Sequence, residues 1–135
     1  MAISQAMVTS FKKALLDGEM DFSSNTSQTF KIALFTSSAT LNATTTAFST
    51  TNEVSGTGYT SGGNTLALTG TNSSVPATSG TTAFLSFANT TWGTATITAR
   101  GALIYKSGGG DPAIAVLDFG ADKTATAGDF IIRIA

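Results

Sequence analysis

"ARGALIYKSGGGDPAIAVLDFG", residues 99–120, is two apolar runs joined by three glycines and a proline. Gly108, Gly109 and Gly110 tolerate the positive φ of a tight reversal, and Pro112 removes one backbone donor just before the second run begins. The stretch predicts a hairpin tip between strands at 99–106 and 113–120, antiparallel neighbours in the core sheet.

Outward from this hairpin the same period of two recurs. "FKIALF" (30–35) sets Phe30, Ile32 and Leu34 against Lys31, Ala33 and Phe35, which predicts a strand with one face in the core. Residues 64–69, 82–88, 91–98 and 129–135 read as further strands, with turn chemistry in "TNSSVPATSGT". Helices do not alternate with these runs. The fold class is therefore mainly β: an antiparallel β-sandwich of the jelly-roll or immunoglobulin-like kind, two strand orders that give the same alternation.

One segment departs from that period. In "ISQAMVTSFKKALLDG" the residues Ile3, Met7, Phe11 and Leu15 recur at steps of four, Val8 and Ala14 widen the stripe, and Gly18 offers a left-handed stop. This predicts one N-terminal amphipathic helix over about residues 3–16, docked on the sandwich edge or on a partner. Ser37 to Gly63 reads as a long extended loop with at most a short strand near Phe48; a loop of that length is functional or is ordered by its neighbours. The whole chain, 1–135, reads as a single domain.

Composition excludes several functions. Charged residues make up only 11%, the net charge is −1, and about 40 positions are Ser or Thr, so solubility comes from hydroxyls. So little charge suits a packed, assembled surface better than a protein alone in cytoplasm. The seven Lys and Arg are scattered, which argues against nucleic acid as a partner. No window approaches the roughly 18 apolar residues of a membrane helix, and the N-terminus has no classical export signal. With neither Cys nor His there is no disulfide, thiolate or imidazole chemistry.

The motifs that could carry chemistry are weak. In "TNEVSGTGYTSGGNTLAL" (51–68), Gly56, Gly58 and Gly62 make G-x-G-x-x-x-G, one residue too long for a dinucleotide fingerprint, and a strand pattern succeeds it where a helix is required. "DFG" at 118–120 has none of its kinase context. Asp111, Asp118, Asp122 and Asp129 match no calcium-loop spacing and read as strand ends. Trp92, Tyr59 and Tyr105 could stack on sugar rings, but Trp92 and Tyr105 fit core or interface positions better. No enzyme, cofactor or metal is implied by these residues.

Several stretches, "MAISQAMVTSFKKALLDGEMDF", "FKIALFTSSATL", "FSTTNEVSGTGYTSGGNTL", "ITARGALIY" and "AVLDFGADK", taken in order resemble a family of small virion proteins of tailed bacteriophages. The resemblance implies a capsid decoration, or cement, protein on the outer surface of the virion. Such a protein would be made in the host cytoplasm and would bridge subunits of the major capsid protein as a homo-oligomer, dimer or trimer. Similar sequences are also tail, baseplate or fibre-associated, and a carbohydrate-binding virion module is a third reading. The expected packing or assembly contacts are Ile3, Met7, Phe11, Leu15, Tyr59 and Trp92, with the 37–63 loop ordered on assembly. Where the family carries a longer insertion, "GDF" (128–130) runs directly into "IIRIA", so the resemblance implies that the last strand or its hairpin is shortened.

Overall fold

The structure is a computed structural model and describes residues 2–22, 28–66, 77–84 and 87–133. Its elements are β1 (Ala6–Met7), α1 (Thr9–Asp17), β2 (Thr29–Phe35), β3 (Asn64–Leu66), β4 (Ala77–Ser79), β5 (Thr82–Phe84), β6 (Thr90–Ser107) and β7 (Ala113–Ile132). The fold is mainly β with one helix. A five-stranded antiparallel sheet has the order β1-β7-β6-β2-β3, and β4 and β5 form a separate hairpin. The expected strand residues 67–69, 85–86 and 134–135 lie outside the described residues.

The predicted hairpin is present, with Tyr105 opposite Ala113 and Gly108–Gly110 all at positive φ. Asp111 Oδ1 accepts the Gly108 N–H at 2.7 Å and closes the tip. Its two strands are much longer than expected. Residues 91–98 and 99–106 are one strand, and 113–120 and 129–132 are joined into another. No proline or complete turn separates these pieces. Their irregular positions are absorbed as bulges, at register shifts between Trp92 and Ala95, Ala95 and Ile97, and Ala99 and Gly101.

Those bulges curl the β6–β7 ribbon. At the largest, residues 119–122 of β7 lie between the partners of Ala99 and Gly101, opposite the single residue Arg100. Phe119 and Phe130 are eleven positions apart, which in a straight strand means roughly 36 Å at about 3.3 Å per residue. Their ring centroids are 6.2 Å apart.

β2 also differs from expectation, since Ile32, Ala33, Leu34 and Phe35 are all buried and both faces of the strand are covered. On one face Phe30 stacks on Phe22 at 4.5 Å, and Phe22 meets Phe11 of α1 edge-on. On the other, Phe35 packs against Phe48, which stacks on Tyr105 at 4.5 Å. The 37–63 loop supplies this second cover. Near Phe48 it holds no strand, only a single bridge from Ala47 to Pro112; others run from Leu41 to Ile3 and from Glu53 to Phe35.

The helix is shorter than the stripe suggested, and residues 3–8 are not helical. Ile3 bridges Leu41, and Ala6 and Met7 pair with Val116 and Ala115 of β7. The Val8 N–H donates to the Ile114 carbonyl, so backbone pairing with the sheet overrides the period of four. The helix begins at Thr9 and ends in a Schellman turn, in which Gly18 N–H reaches Leu15 O and Glu19 N–H reaches Ala14 O. Its buried face is Phe11 and Ala14. Met7 is 51% exposed and Leu15 44% exposed, because one is on a strand and the other points off the helix's inner face.

Phe11 is 4% exposed. Phe11→Ala should cost about 3–5 kcal/mol of unfolding free energy in a denaturant titration. Leu16→Ala, at a 90% exposed position, should stay within about 0.5 kcal/mol.

Candidate functional site

The loop that feeds β3 carries the densest polar constellation among the described residues. Glu53 is the only carboxylate between Asp21 and Asp111. A backbone bridge to Phe35 holds it at the end of β2, and Val54 N–H donates to the Leu34 carbonyl beside it. Its Oε2 accepts Tyr59 Oη–H at 2.6 Å and Gly62 N–H at 2.7 Å, and its Oε1 accepts Ser61 Oγ–H at 2.7 Å. Tyr59 Oη in turn accepts the Leu34 N–H at 2.9 Å, a donor that β3 is too short to reach. From β6, Tyr105 Oη–H donates to the Gly62 carbonyl at 2.6 Å.

The glycines let this loop lie directly on strands. A Cβ on Gly58 would stand 2.8 Å from Ala95 Cα of β6, and one on Gly63 would occupy the space of the Ile32 carbonyl of β2. Both residues also have positive φ. Thr96 N–H donates to the Thr57 carbonyl, and Asn64 Nδ2 donates to Thr90 Oγ1 and the Thr91 carbonyl. The segment therefore clasps β2 to the curled half of β6. The loop runs on into the strand β3, so no helix dipole converges on an anion here.

Burial and the Glu53 carboxylate push the Tyr59 phenol far above its ordinary value. Burial, with smaller contributions from the Asp111 and Glu53 charges, pushes Tyr105 up to about 12. Both hydroxyls stay protonated donors across the physiological range, so the clasp does not titrate there through its tyrosines.

The six expected contact residues do not form one surface. Tyr59 and Trp92 come together, with ring centroids 5.9 Å apart, and Trp92 also meets Phe130 edge-on. Trp92 is 3% exposed, and its buried Nε1 has no partner among the described residues. Ile3 and Phe11 are buried, in different surroundings: Ile3 lies over Gly101, where two of its methyl groups would touch an added Cβ. Met7 and Leu15 are on the surface.

Sequence reasoning missed Glu53; the one signal for it is its isolation in a long stretch without another carboxylate. Asp118 accepts the Gly120 N–H at 2.9 Å and lies 3.5 Å from Arg100 Nε. Among the described residues no three His, Cys, Asp or Glu side chains are grouped to hold a metal ion, and no helix is long and apolar enough to cross a membrane. Compared with protein-family models, with curated proteins and with solved structures, the chain matches none.

Gly63→Ala should cost about 3 kcal/mol or more, from the left-handed backbone and the collision with β2, whereas Gly109→Ala, at the open hairpin tip, should cost about 1 kcal/mol; paired denaturant titrations compare them. A second expectation concerns alkaline pH. An unfolded tyrosine ionises near pH 10, and both tyrosines of this chain keep their protons beyond that in the fold. The stability they contribute is whole below about pH 10 and is lost as pH rises towards 12. Absorbance at 295 nm should show no tyrosinate near pH 10 while the protein stays folded, and ionisation of either residue there in the folded protein would contradict the clasp.

Proposed function

We propose that the protein is a capsid decoration protein of a tailed bacteriophage, a homo-oligomer on the outer surface of the head that bridges subunits of the major capsid protein. The observation that carries this reading is the use to which the polar side chains are put. Glu53, Tyr59, Ser61 and Tyr105 hold the long loop against the sheet, and the exposed parts of that loop present hydroxyls rather than charges. A loop held in this way loses little entropy when it is covered, and many identical weak contacts on a symmetric shell add up to firm attachment. The resemblance of the ordered stretches to small virion proteins points the same way. Within the chain the loop is tied to β2 and β6 by its own hydrogen bonds.

With this reading goes a finer architecture, an antiparallel sandwich of the jelly-roll or immunoglobulin-like kind. Its support is the curl of β6 and β7, since strands that pass from one layer to the other do so at bulges. The curled half, 90–98 with 124–132, would be the second layer, joined to the first through the bridge from Thr57 to Thr96. A sugar-binding role is less well supported, because the Trp92 and Tyr59 rings lie against each other and Trp92 is buried.

Quantitative mass spectrometry of purified virions tests the proposal. Hundreds of copies per particle, in simple ratio to the major capsid protein, are expected. A dozen or fewer would move the protein to the tail, and none would remove it from the virion.

A further inference from the structure

The curl of β7 leaves a groove of about 560 Å³ along β7. Phe119 and Phe130 form part of its floor, and Asp118, Lys123, Asp129 and Arg133 line it. Two of these charges are negative and two positive, so the lining as a whole carries no net charge. Asp118 is 3.5 Å from Arg100, whereas Lys123, Asp129 and Arg133 have no ion-pair partner among the described residues. Ile131, beside them, is 42% exposed.

A site for a charged small ligand concentrates one sign of charge. This groove instead carries both, with Lys123 and Asp129 not paired to each other, and a surface that holds unpaired charges of both signs can complement itself under a twofold rotation. We propose that the β7 groove is a self-association surface, in which Lys123 of one copy faces Asp129 of a second and the reverse pair closes the contact.

The backbone supports association through side chains rather than by strand addition. β1 covers β7 only at Ala115 and Val116, and the next outward donors are already capped: Gln5 Oε1 accepts the Asp118 N–H, and Asp118 Oδ1 accepts the Gly120 N–H. Ala127, at positive φ, gives its N–H to Thr96 Oγ1, so the edge is bent again near its far end. Capped and bent edges resist continuous pairing.

This inference rests on the homo-oligomer in the proposed function, and its test separates the two. Sedimentation velocity on the full chain should give a dimer, or a higher oligomer containing that contact, that weakens as salt is raised. K123E alone and D129K alone should each weaken association at least tenfold. An equimolar mixture of the two should recover it, because each variant then faces an opposite charge. Circular dichroism of the separate variants checks that both are folded. An oligomer unaffected by either substitution, or a mixture that fails to recover, would overturn the groove while leaving oligomerisation intact. A monomeric wild-type chain at micromolar concentration would overturn both the groove and the homo-oligomer, and the virion copy number would still decide location on its own.

Discussion

The antiparallel ladder between β6 and β7 is the constraint on which the rest of the molecule depends. It joins an 18-residue strand to a 20-residue strand, with β1 attached to β7 on one side and β2, which carries β3, attached to β6 on the other. A two-stranded ribbon is not stable by itself in water, because one of its faces remains wet. Here bulges turn the ribbon back on itself, so that Phe119 meets Phe130, eleven positions further along β7, and Phe130 in turn lies against Trp92, its partner across the ladder.

A curl of that kind needs something to hold it closed, and the glycine-rich loop does so. Its contacts reach β2 on one side and the start of β6 on the other. Glu53 stabilises it because one carboxylate can accept several hydrogen bonds at once, and bonds to an ionised acceptor are roughly twice as strong as neutral ones. The tyrosines contribute differently: their rings fill space beside Trp92 and Phe48, and their hydroxyls satisfy backbone groups that no strand pairs. The segment that looks like a nucleotide loop is thus a structural fastening, and the proposed contact surface owes its shape to it.

Legibility in the sequence tracked the range of the interactions. The 108–112 reversal and the β2 pattern were readable because glycine conformation and side-chain alternation act over a few residues. The helix was readable in kind but not in extent. Ile3 and Met7 fit its period as well as Phe11 does, yet their backbone is paired with Leu41 and β7, partners distant in the chain. The continuity of β6 and β7 was hidden for a related reason. Residues 121–128 show no apolar alternation, and only a partner strand in register shows that they, and the join between 98 and 99, are passed within a strand.

The sequence by itself determined the β-rich class, the helix and its glycine stop, the hairpin tip and the scarcity of charge, since composition and short-range periodicity are enough for each. The tertiary structure alone decided that both faces of β2 are covered, that Trp92 is enclosed, that Glu53 gathers the hydroxyls and amide around it, and that the charges of β7 share one groove. These depend on where bulges turn a long ribbon in space, and the curvature of a ribbon is set by its pairing partner and packing rather than by any single residue along it.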